Sequence, residues 1–289
     1  MSRFAVTGAT GHLGRLVIES LLTRGVAPGD IRAVVRSPEK AADLAARGIE
    51  VREGDYSRTE TLPGALEGVD RLLLISGSEV GRRVPQHTAV VEAAALAGVG
   101  LLAYTSVLRA DTTELVLAPD HTATEAVIRA VDIPFTFLRN GPYLENYTGQ
   151  LGQYLATGRI VGASGDAAVS GATRSDFADA AAAVLAGEGN EGAVYELGGP
   201  VFKMSELAAA ITEVTGKRVE YVEVPVQQFV EGAKAAGIDP GFAELLGVLE
   251  ACTARGDWRT DSVDLERLLG RPATTLTEAV REAYTALEA

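Results

Sequence analysis

Three glycines near the start of the chain, Gly8, Gly11 and Gly14, are spaced three residues apart. They follow an apolar run over residues 4–7 and precede apolar residues at helical spacing over residues 13–22, which predicts a strand, a turn and a helix. The first glycine permits the sharp bend, the second lets a pyrophosphate approach, and the third lets the helix pack against the strand. The helix N-terminus then faces the phosphates. The pattern predicts a dinucleotide-binding turn; a tight turn without a ligand is the alternative.

The rhythm of strand and helix continues along the chain. Further strands are predicted over residues 31–35, 49–52, 72–75, 101–105 and 135–138, with helical segments between them. Parallel strands require crossover connections, which are usually helices. The alternation therefore predicts an α/β fold with a doubly wound parallel sheet of the Rossmann type.

The rhythm changes after residue 140. Residues 158–171 are rich in Gly, Ala and Ser and are predicted to be dominated by loops. A helix is expected over 175–186 and a strand over 194–197. From residue 203 onward we expect three or four helices and one strand over 219–224.

These segments predict two regions of unequal size. Residues 1–145 are expected to form the cofactor-binding Rossmann domain, with residues 172–198 returning to it. Residues 146–289 are expected to form a smaller, mainly helical C-terminal domain that caps the substrate cleft. The cleft would then lie between the two regions.

Composition and charge exclude several classes of protein. With 47% hydrophobic and 22% charged residues among 289, the chain can fill a globular core. A net charge of −13 argues against nucleic acid as a partner. No apolar run approaches the ~20 residues of a membrane helix, and the N-terminus lacks signal-peptide anatomy, so we expect a cytoplasmic protein without membrane insertion. The single Cys252 is expected to be a buried small side chain.

Arg36 occupies the position that distinguishes NAD from NADP enzymes. It follows the second predicted strand, where an NAD enzyme usually places an acid on the ribose. A guanidinium suits a phosphate instead, so NADPH is predicted over NADH, with a solvated surface arginine as the alternative. Asp55 ends the third strand, where it could accept a hydrogen bond from adenine or simply stabilise a turn.

Small and hydroxyl residues end the fourth and fifth strands. Ser76, Gly77 and Ser78 follow one, and Tyr104, Thr105 and Ser106 end the other, at the edge where doubly wound folds bind ligands. No Tyr-x-x-x-Lys pattern occurs, because lysine is present only at positions 40, 203, 217 and 234. The usual proton relay of short-chain dehydrogenases is therefore absent. Hydride transfer to an acceptor that takes protons from water does not need this relay.

The three histidines are not placed like metal ligands. His121 could donate a proton, but Asp120 beside it resembles a helix N-cap, and we favour the capping interpretation. His12 and His87 have no companion ligands in the sequence, so no metal site is expected.

Several motifs together resemble a known family, the NmrA-like atypical short-chain dehydrogenases, and within it the bacterial NADPH-dependent quinone reductases. The resemblance covers nearly the whole chain. It is found in Thr7-Gly8-Ala9-Thr10-Gly11 with Leu13-Gly14, Val35-Arg36 with Pro38, Leu72-Leu73-Leu74-Ile75-Ser76, Ser78-Glu79-Val80-Gly81 with Pro85-Gln86-His87, Ala103-Tyr104-Thr105-Ser106, Ala110-Asp111-Thr112, Leu138-Arg139-Asn140-Gly141 and Glu145-Asn146-Tyr147.

The resemblance implies where cofactor and substrate bind. Combined with the motifs above, it gives these expected NADP(H)-binding residues: Gly8, Ala9, Thr10, Gly11, His12, Leu13, Arg36, Asp55, Ser76, Gly77, Ser78, Tyr104, Thr105, Asn140, Gly141, Pro142, Tyr143 and Glu145. Candidate residues of the substrate cleft are Tyr104, Asn146 and Tyr147; no catalytic group is assigned. Two departures from the family pattern are the bulky His12 in the glycine turn and Pro142, where an aromatic side chain is expected.

Three functions are compatible with this sequence. The leading hypothesis is an NADPH-dependent oxidoreductase that transfers hydride to a quinone or a similar conjugated carbonyl, acting as a monomer or homodimer. A second is a sensor that binds NADP(H) without turnover. A third is a reductase or isomerase of the same fold for another small molecule, because fold alone does not fix chemistry.

Overall fold

The computed structural model describes residues 2–79 and 81–289. Met1, and Val80 of the motif at positions 78–81, lie outside the described residues. The strands are β1 Phe4–Thr7, β2 Ile31–Val35, β3 Glu50–Glu53, β4 Arg71–Leu74, β5 Leu101–Val107, β6 Phe135–Asn140, β7 Arg159–Gly162, β8 Val169–Ser170, β9 Val194–Leu197, β10 Val201–Phe202 and β11 Glu220–Glu223.

Helices connect and cover these strands. The α-helices are α1 His12–Thr23, α2 Ala42–Ala46, α3 Leu62–Leu66, α4 Arg83–Ala97, α5 Ala118–Ala130, α6 Glu145–Thr148, α7 Leu151–Thr157, α8 Arg174–Ala186, α9 Met204–Thr215, α10 Val226–Ala235, α11 Pro240–Ala254, α12 Asp264–Leu269 and α13 Leu276–Glu288. Three short 3₁₀ helices are Pro28–Asp30, Pro38–Ala41 and Thr59–Thr61.

Seven strands form one parallel sheet in the order β3-β2-β1-β4-β5-β6-β9. The order reverses between β1 and β4, which are neighbours although β2 and β3 intervene in the chain. The predicted α/β, doubly wound fold is confirmed. Ligands in such folds bind at the carboxyl ends of the strands beside this reversal.

Alternate side chains of the sheet pack into two hydrophobic layers. Val6, Leu73 and Ala103 belong to a core shared with α1, α8 and α12. Their sequence neighbours, among them Leu72 and Leu102, face the opposite side and pack with α3, α4 and α5. Because both faces are covered, nearly every position of the central strands β1, β4 and β5 is buried, as expected of central parallel strands.

The segment predicted to be a loop, 158–171, contains two strands. β7 pairs in parallel with β11, and β8 pairs antiparallel with β10. Both partners lie at least thirty positions later in the sequence, so local composition gave no sign of the pairing. From residue 203 onward the described residues contain five helices, α9 to α13, rather than three or four. None of the helices in the described part of the chain combines the length and apolarity that a membrane crossing requires.

The start of α5 differs from the predicted cap. The helix begins at Ala118, after Leu117, and no side chain caps its first turn. Asp120 lies inside the helix, and its Oδ2 accepts a hydrogen bond of 3.4 Å from the backbone N–H of Gly81. The capping interpretation of Asp120 was therefore wrong, because Pro119 starts the helix earlier than the apolar pattern indicated.

The glycine turn joins β1 to α1 with almost no space between them. Gly8 adopts a φ of +59°, a left-handed conformation that glycine tolerates best. At Gly14 a Cβ atom would lie 2.4 Å from the carbonyl oxygen of Gly8 and 2.7 Å from the Cα of Ala9. The missing side chain of Gly14 thus allows the first turn of α1 to contact the end of β1.

We expect Gly14→Ala to destabilise the protein by about 1–3 kcal/mol, because the added methyl group overpacks this contact. The matched control is Gly29→Ala, since a Cβ at Gly29 meets no atom within 4 Å. Urea unfolding of both variants measures the effect. Equal stability of the two variants would contradict this account of the turn.

Candidate active site

A cavity of about 600 Å³ lies over the glycine turn at the carboxyl ends of β1, β2 and β4. It combines backbone-exposing glycines with polar and basic side chains. Its lining residues are Gly8, Thr10, Gly11, Arg15, Arg36, Lys40, Gly54, Asp55, Tyr56, Ile75, Ser76, Gly77, Ser78, Glu79 and Gln86. We call it the turn cavity.

The turn cavity is lined by three basic and two acidic side chains in an acidic protein. Arg15, Arg36 and Lys40 all line it. Arg36 is 72% exposed, and its Nη1 lies 3.6 Å from Oε1 of Glu79. The N-terminus of α1 also faces this region and has no side-chain cap. Free N–H groups and a positive helix end favour a phosphate group there.

The end of β4 is held in place by hydrogen bonds from neighbouring elements. The N–H of Ser76 donates to Oγ1 of Thr105 at 2.9 Å, and the N–H of Gly77 donates to Nε2 of His87 at 2.9 Å. The hydroxyl of Tyr56 donates to Oγ1 of Thr7 and lies 3.0 Å from the carbonyl oxygen of Ile75. The segment is therefore rigidly presented to the cavity.

Asp55 has the predicted turn role and also lines the turn cavity, while its contact with adenine stays a prediction. It lines the turn cavity, and its Oδ1 accepts a 2.9 Å hydrogen bond from the N–H of Ser57. Its other oxygen lies 3.4 Å from Nε of Arg58. The carboxylate thus stabilises its own turn while facing the cavity.

A second and larger cavity, of about 1610 Å³, lies beside the first. We call it the aromatic cavity, because seven tyrosine, phenylalanine and tryptophan side chains line it. Ser76 lines both cavities, so they meet at the end of β4. The aromatic lining consists of Tyr143, Tyr147, Tyr154, Tyr221, Phe229, Phe242 and Trp258.

The segment after β6 forms the near side of the aromatic cavity. Asn140, Gly141, Pro142 and Tyr143 all line it. A Cβ at Gly141 would lie 2.5 Å from the carbonyl oxygen of Ser170, so the chain fits here only with glycine. Oδ1 of Asn140 is buried and has no hydrogen-bond partner in the described structure. It is a free acceptor beside the cavity.

A buried ionic network supports this region from behind. Arg139 contacts three carboxylates, at 2.8 Å from Glu125, 2.9 Å from Asp111 and 2.9 Å from Glu196. The hydroxyl of Ser106 donates to Oε1 of Glu125 at 2.6 Å. This network fixes the ends of β5 and β6 relative to α5, because a buried charge is stable only when paired.

The predicted cleft residues divide into two groups. Asn146 and Tyr147 line the aromatic cavity. Tyr104 lies outside both linings: its side chain is 0% exposed, and its hydroxyl is 2.8 Å from Nδ1 of His121. Tyr104 and Ser106 lie on the same face of β5, toward α5, because side chains two positions apart share a face. Tyr104 is buried within the strand, whereas Ser106 lies next to its carboxyl end at Val107 and lines the aromatic cavity.

His121, which the sequence left as the less favoured proton donor, lines the aromatic cavity. Burial, together with the charges of Arg83 and His87, lowers the pKa of His121 to about 3. Burial and the charge of Arg83 likewise lower the pKa of His87 to about 4. Both rings are therefore neutral at physiological pH, and neither is an acid there.

Five other predicted cofactor residues lie beside the cavities without lining them: Ala9, His12, Leu13, Thr105 and Glu145. Ala9 and Leu13 are buried against the turn, whereas His12 is exposed. The carboxylate of Glu145 accepts hydrogen bonds from the N–H of Arg174 at 2.8 and 3.1 Å, at the start of α8. Within the described residues no group of three or more potential ligands is arranged to hold a metal ion.

Sequence reasoning missed several cavity residues. Arg15 and Lys40 lie near motifs that were identified, but only the fold brings their charges together. Arg83 stands just before the motif at residues 85–87 and is buried against it. Glu250 and Trp258 come from the C-terminal region, where no local signal points to a cavity.

Glu250 is a carboxylate among the aromatic side chains. Its Oε2 accepts a 2.6 Å hydrogen bond from the N–H of Ala163. Burial raises the pKa of Glu250, and the nearby charge of Glu223 adds to this increase. No basic side chain of the described residues forms an ion pair with it.

The sheet order, the glycine turn and the cavity above it define a doubly wound α/β protein of the Rossmann type. The chain belongs to the NmrA-like family, whose model matches residues 1–288. It is 45% identical to quinone oxidoreductase 2 of Escherichia coli over 97% of this chain and 98% of that protein.

Two solved structures are similar over nearly the whole chain. The crystal structure of the E. coli NADPH-dependent quinone oxidoreductase in complex with NADPH has a TM-score of 0.94 and covers 97% of this chain and 99% of that one. Citrobacter triphenylmethane reductase in complex with NADP(H) has a TM-score of 0.93 at 40% identity, with coverage of 97% and 99%.

The raised pKa of Glu250 predicts a pH-dependent effect on stability. The stability that protonated Glu250 contributes to the fold is fully present below the pKa of an unfolded glutamate, ~4.3. It is lost as the pH rises through the pKa of Glu250 in the folded protein. Glu250→Gln should therefore melt above the wild type at pH 8, and the difference should shrink toward pH 4. Thermal melts across this range measure it, with the exposed Glu213→Gln as control. A Glu250→Gln protein that melts below the wild type at pH 8 would sink the assignment.

Proposed function

We propose that this protein is an NADPH-dependent reductase that transfers hydride to a quinone or a similar conjugated carbonyl compound. The observation that carries the proposal is the junction at Ser76, where a basic cavity over a glycine turn opens into a large aromatic cavity. A charged dinucleotide suits the first cavity and a flat acceptor the second. The similarity to a quinone oxidoreductase of E. coli and to a triphenylmethane reductase of Citrobacter supports the same assignment.

The residues of the turn cavity fit the parts of NADPH. The uncapped N-terminus of α1 and the turn at Gly8 to Gly11 would bind the pyrophosphate. Arg36, with Arg15 and Lys40, would bind the 2′-phosphate. Asn140, which lines the neighbouring aromatic cavity and whose Oδ1 has no partner, would accept a hydrogen bond from the carboxamide of nicotinamide. Bound NADPH supplies the hydride.

The contribution of the chain itself is to hold two flat groups against each other. Ser76 and the segment from Asn140 to Tyr143 border the junction, and the aromatic side chains beyond it offer apolar faces. Holding the nicotinamide and the acceptor in contact removes much of the entropic cost of bringing them together for hydride transfer. No Tyr-x-x-x-Lys pair is required, because a reduced quinone takes its proton from water.

Three predictions from the sequence enter the proposal unchanged. The cofactor domain comprises residues 1–145, with 172–198 returning to it, and residues 146–289 form the cap over the substrate cleft. In support, β9 lies in the seven-stranded sheet and α8 packs on α1, whereas the aromatic cavity draws on α10 and α11. The protein is cytoplasmic and acts as a monomer or homodimer.

Oxidation of NADPH in the presence of a panel of quinones tests the reductase assignment. We expect steady loss of the reduced-nicotinamide absorbance with at least simple benzoquinones and naphthoquinones. Binding of NADPH without oxidation by any acceptor would refute this activity and would match a sensor.

We expect Arg36→Ala to weaken NADPH binding by about tenfold or more, because a hydrogen bond to a charged phosphate contributes roughly 1.5–3 kcal/mol. The affinity for NADH, which lacks that phosphate, should stay unchanged. Fluorescence titration of both nucleotides measures the two affinities. Arg218→Ala, at an exposed arginine lining neither cavity, is the control. Equal losses for NADPH and NADH would contradict the role of Arg36.

A further inference from the structure

Arg83 is a buried cation at the junction of the two cavities. It is the first residue of α4, its side chain is 9% exposed, and it lines the aromatic cavity. Its Nε donates a 2.6 Å hydrogen bond to the carbonyl oxygen of Gly77, next to Ser76. This bond fixes the guanidinium at the end of the aromatic cavity nearest the turn cavity.

The charge of Arg83 is not neutralised by the described residues. Its Nη1 is buried without a hydrogen-bond partner, and none of the ion pairs involves Arg83. The nearest acidic residue in the sequence, Glu79, pairs instead with Arg36 at 3.6 Å and Arg82 at 3.1 Å. A buried charge without a partner is unfavourable. Such a group is explained when a ligand brings the missing negative charge.

The neighbouring titratable groups do not supply that charge. His87 and His121 are neutral because burial and Arg83 itself lower their pKa values to about 4 and about 3. Tyr104 stays protonated because burial raises its pKa. Asp120 is turned to the N–H of Gly81, and Glu125 is paired with Arg139. The guanidinium of Arg83 therefore forms no ion pair with the described residues, although the charge of Asp120 acts on the same His87 and Tyr104.

We propose that Arg83 stabilises the negative charge that forms on the acceptor oxygen, and that the aromatic cavity consequently prefers phenolate or enolate ligands over their neutral forms. This inference rests on the proposed reductase function and adds a role for a residue of this chain. Electrostatic stabilisation of a developing oxyanion in a site of low polarity is an effective form of catalysis.

The charge balance of the reaction explains why an arginine suits this place. A quinone that accepts a hydride gains two electrons and one hydrogen, so one oxygen is left as an anion. A proton from water then completes the hydroquinone, and the dinucleotide leaves as NADP⁺. Because arginine stays protonated throughout, Arg83 stabilises the anion without giving up a proton.

Binding of para-nitrophenol tests this inference without any turnover. The phenol and the phenolate have different absorption spectra, so the bound form can be identified directly. With the protein saturated by NADP⁺, we expect the wild type to bind phenolate at a pH at which the free compound is mostly neutral. This corresponds to a fall of at least about one unit in the pKa of the bound ligand, or tenfold tighter binding of the anion.

Three variants separate charge from structure. Arg83→Gln should bind the neutral phenol at least as well as the phenolate and should lower kcat with quinones by about tenfold or more, with little change in the Kd of NADPH. Arg83→Lys, which keeps the charge, should retain part of the preference. Arg82→Gln removes an adjacent arginine that is 65% exposed and should behave as the wild type. Thermal melts verify that each variant folds.

The outcomes distinguish this inference from the proposed function. Neutral phenol bound to the wild type, while quinones are still reduced, would overturn the role of Arg83 alone. If Arg83→Gln lost much of its NADPH affinity while the bound nitrophenol stayed phenolate, Arg83 would serve to bind the dinucleotide. This result would also overturn its proposed role at the acceptor oxygen. Phenolate binding without reduction of any quinone would refute the proposed function and leave an anion site at Arg83.

Discussion

Parallel hydrogen bonding in the central sheet is the constraint on which the site depends. Because every strand of the seven runs in the same direction, all their carboxyl ends meet at one edge. Gly8, Ser76 and Asn140 are far apart in the sequence, yet each belongs to or directly follows one of these ends. The strand order reverses between β1 and β4, so the connections after these two strands run to opposite faces of the sheet. A crevice therefore opens at this edge between them.

The two cavities at that edge differ in character because different parts of the chain complete them. The turn cavity is built from residues 8–86 and gathers three basic side chains, although the protein carries a net charge of −13. The aromatic cavity is completed by α7, α10 and α11, which contribute apolar and aromatic groups. The net charge therefore bears on how the whole surface associates with other molecules, whereas the side chains that line each cavity decide which ligand that cavity can hold.

The sequence was most informative where structure is local. The glycine turn and the strands of the Rossmann sheet were predicted because hydrophobic periodicity and turn residues act over a few positions. The pairing of β7 with β11 was missed because it joins residues about 60 positions apart. Tyr104 was expected in the cleft because its strand was predicted to end at residue 105, but β5 continues to Val107, so Tyr104 lies inside the sheet and is buried.

Arg83 illustrates a second limit of sequence reasoning. An arginine at the start of a helix is usually a solvated surface residue, and nothing in its neighbours distinguishes it from Arg82. Burial is set by α4 packing on α5 and by the hydrogen bond to Gly77, both of which are tertiary. The same packing buries His87 and His121 and keeps them neutral. This chain lacks the Tyr-x-x-x-Lys pattern, and in the proposed reductase the fixed charge of Arg83 beside the acceptor would shift the chemistry from proton donation to stabilisation of an anion.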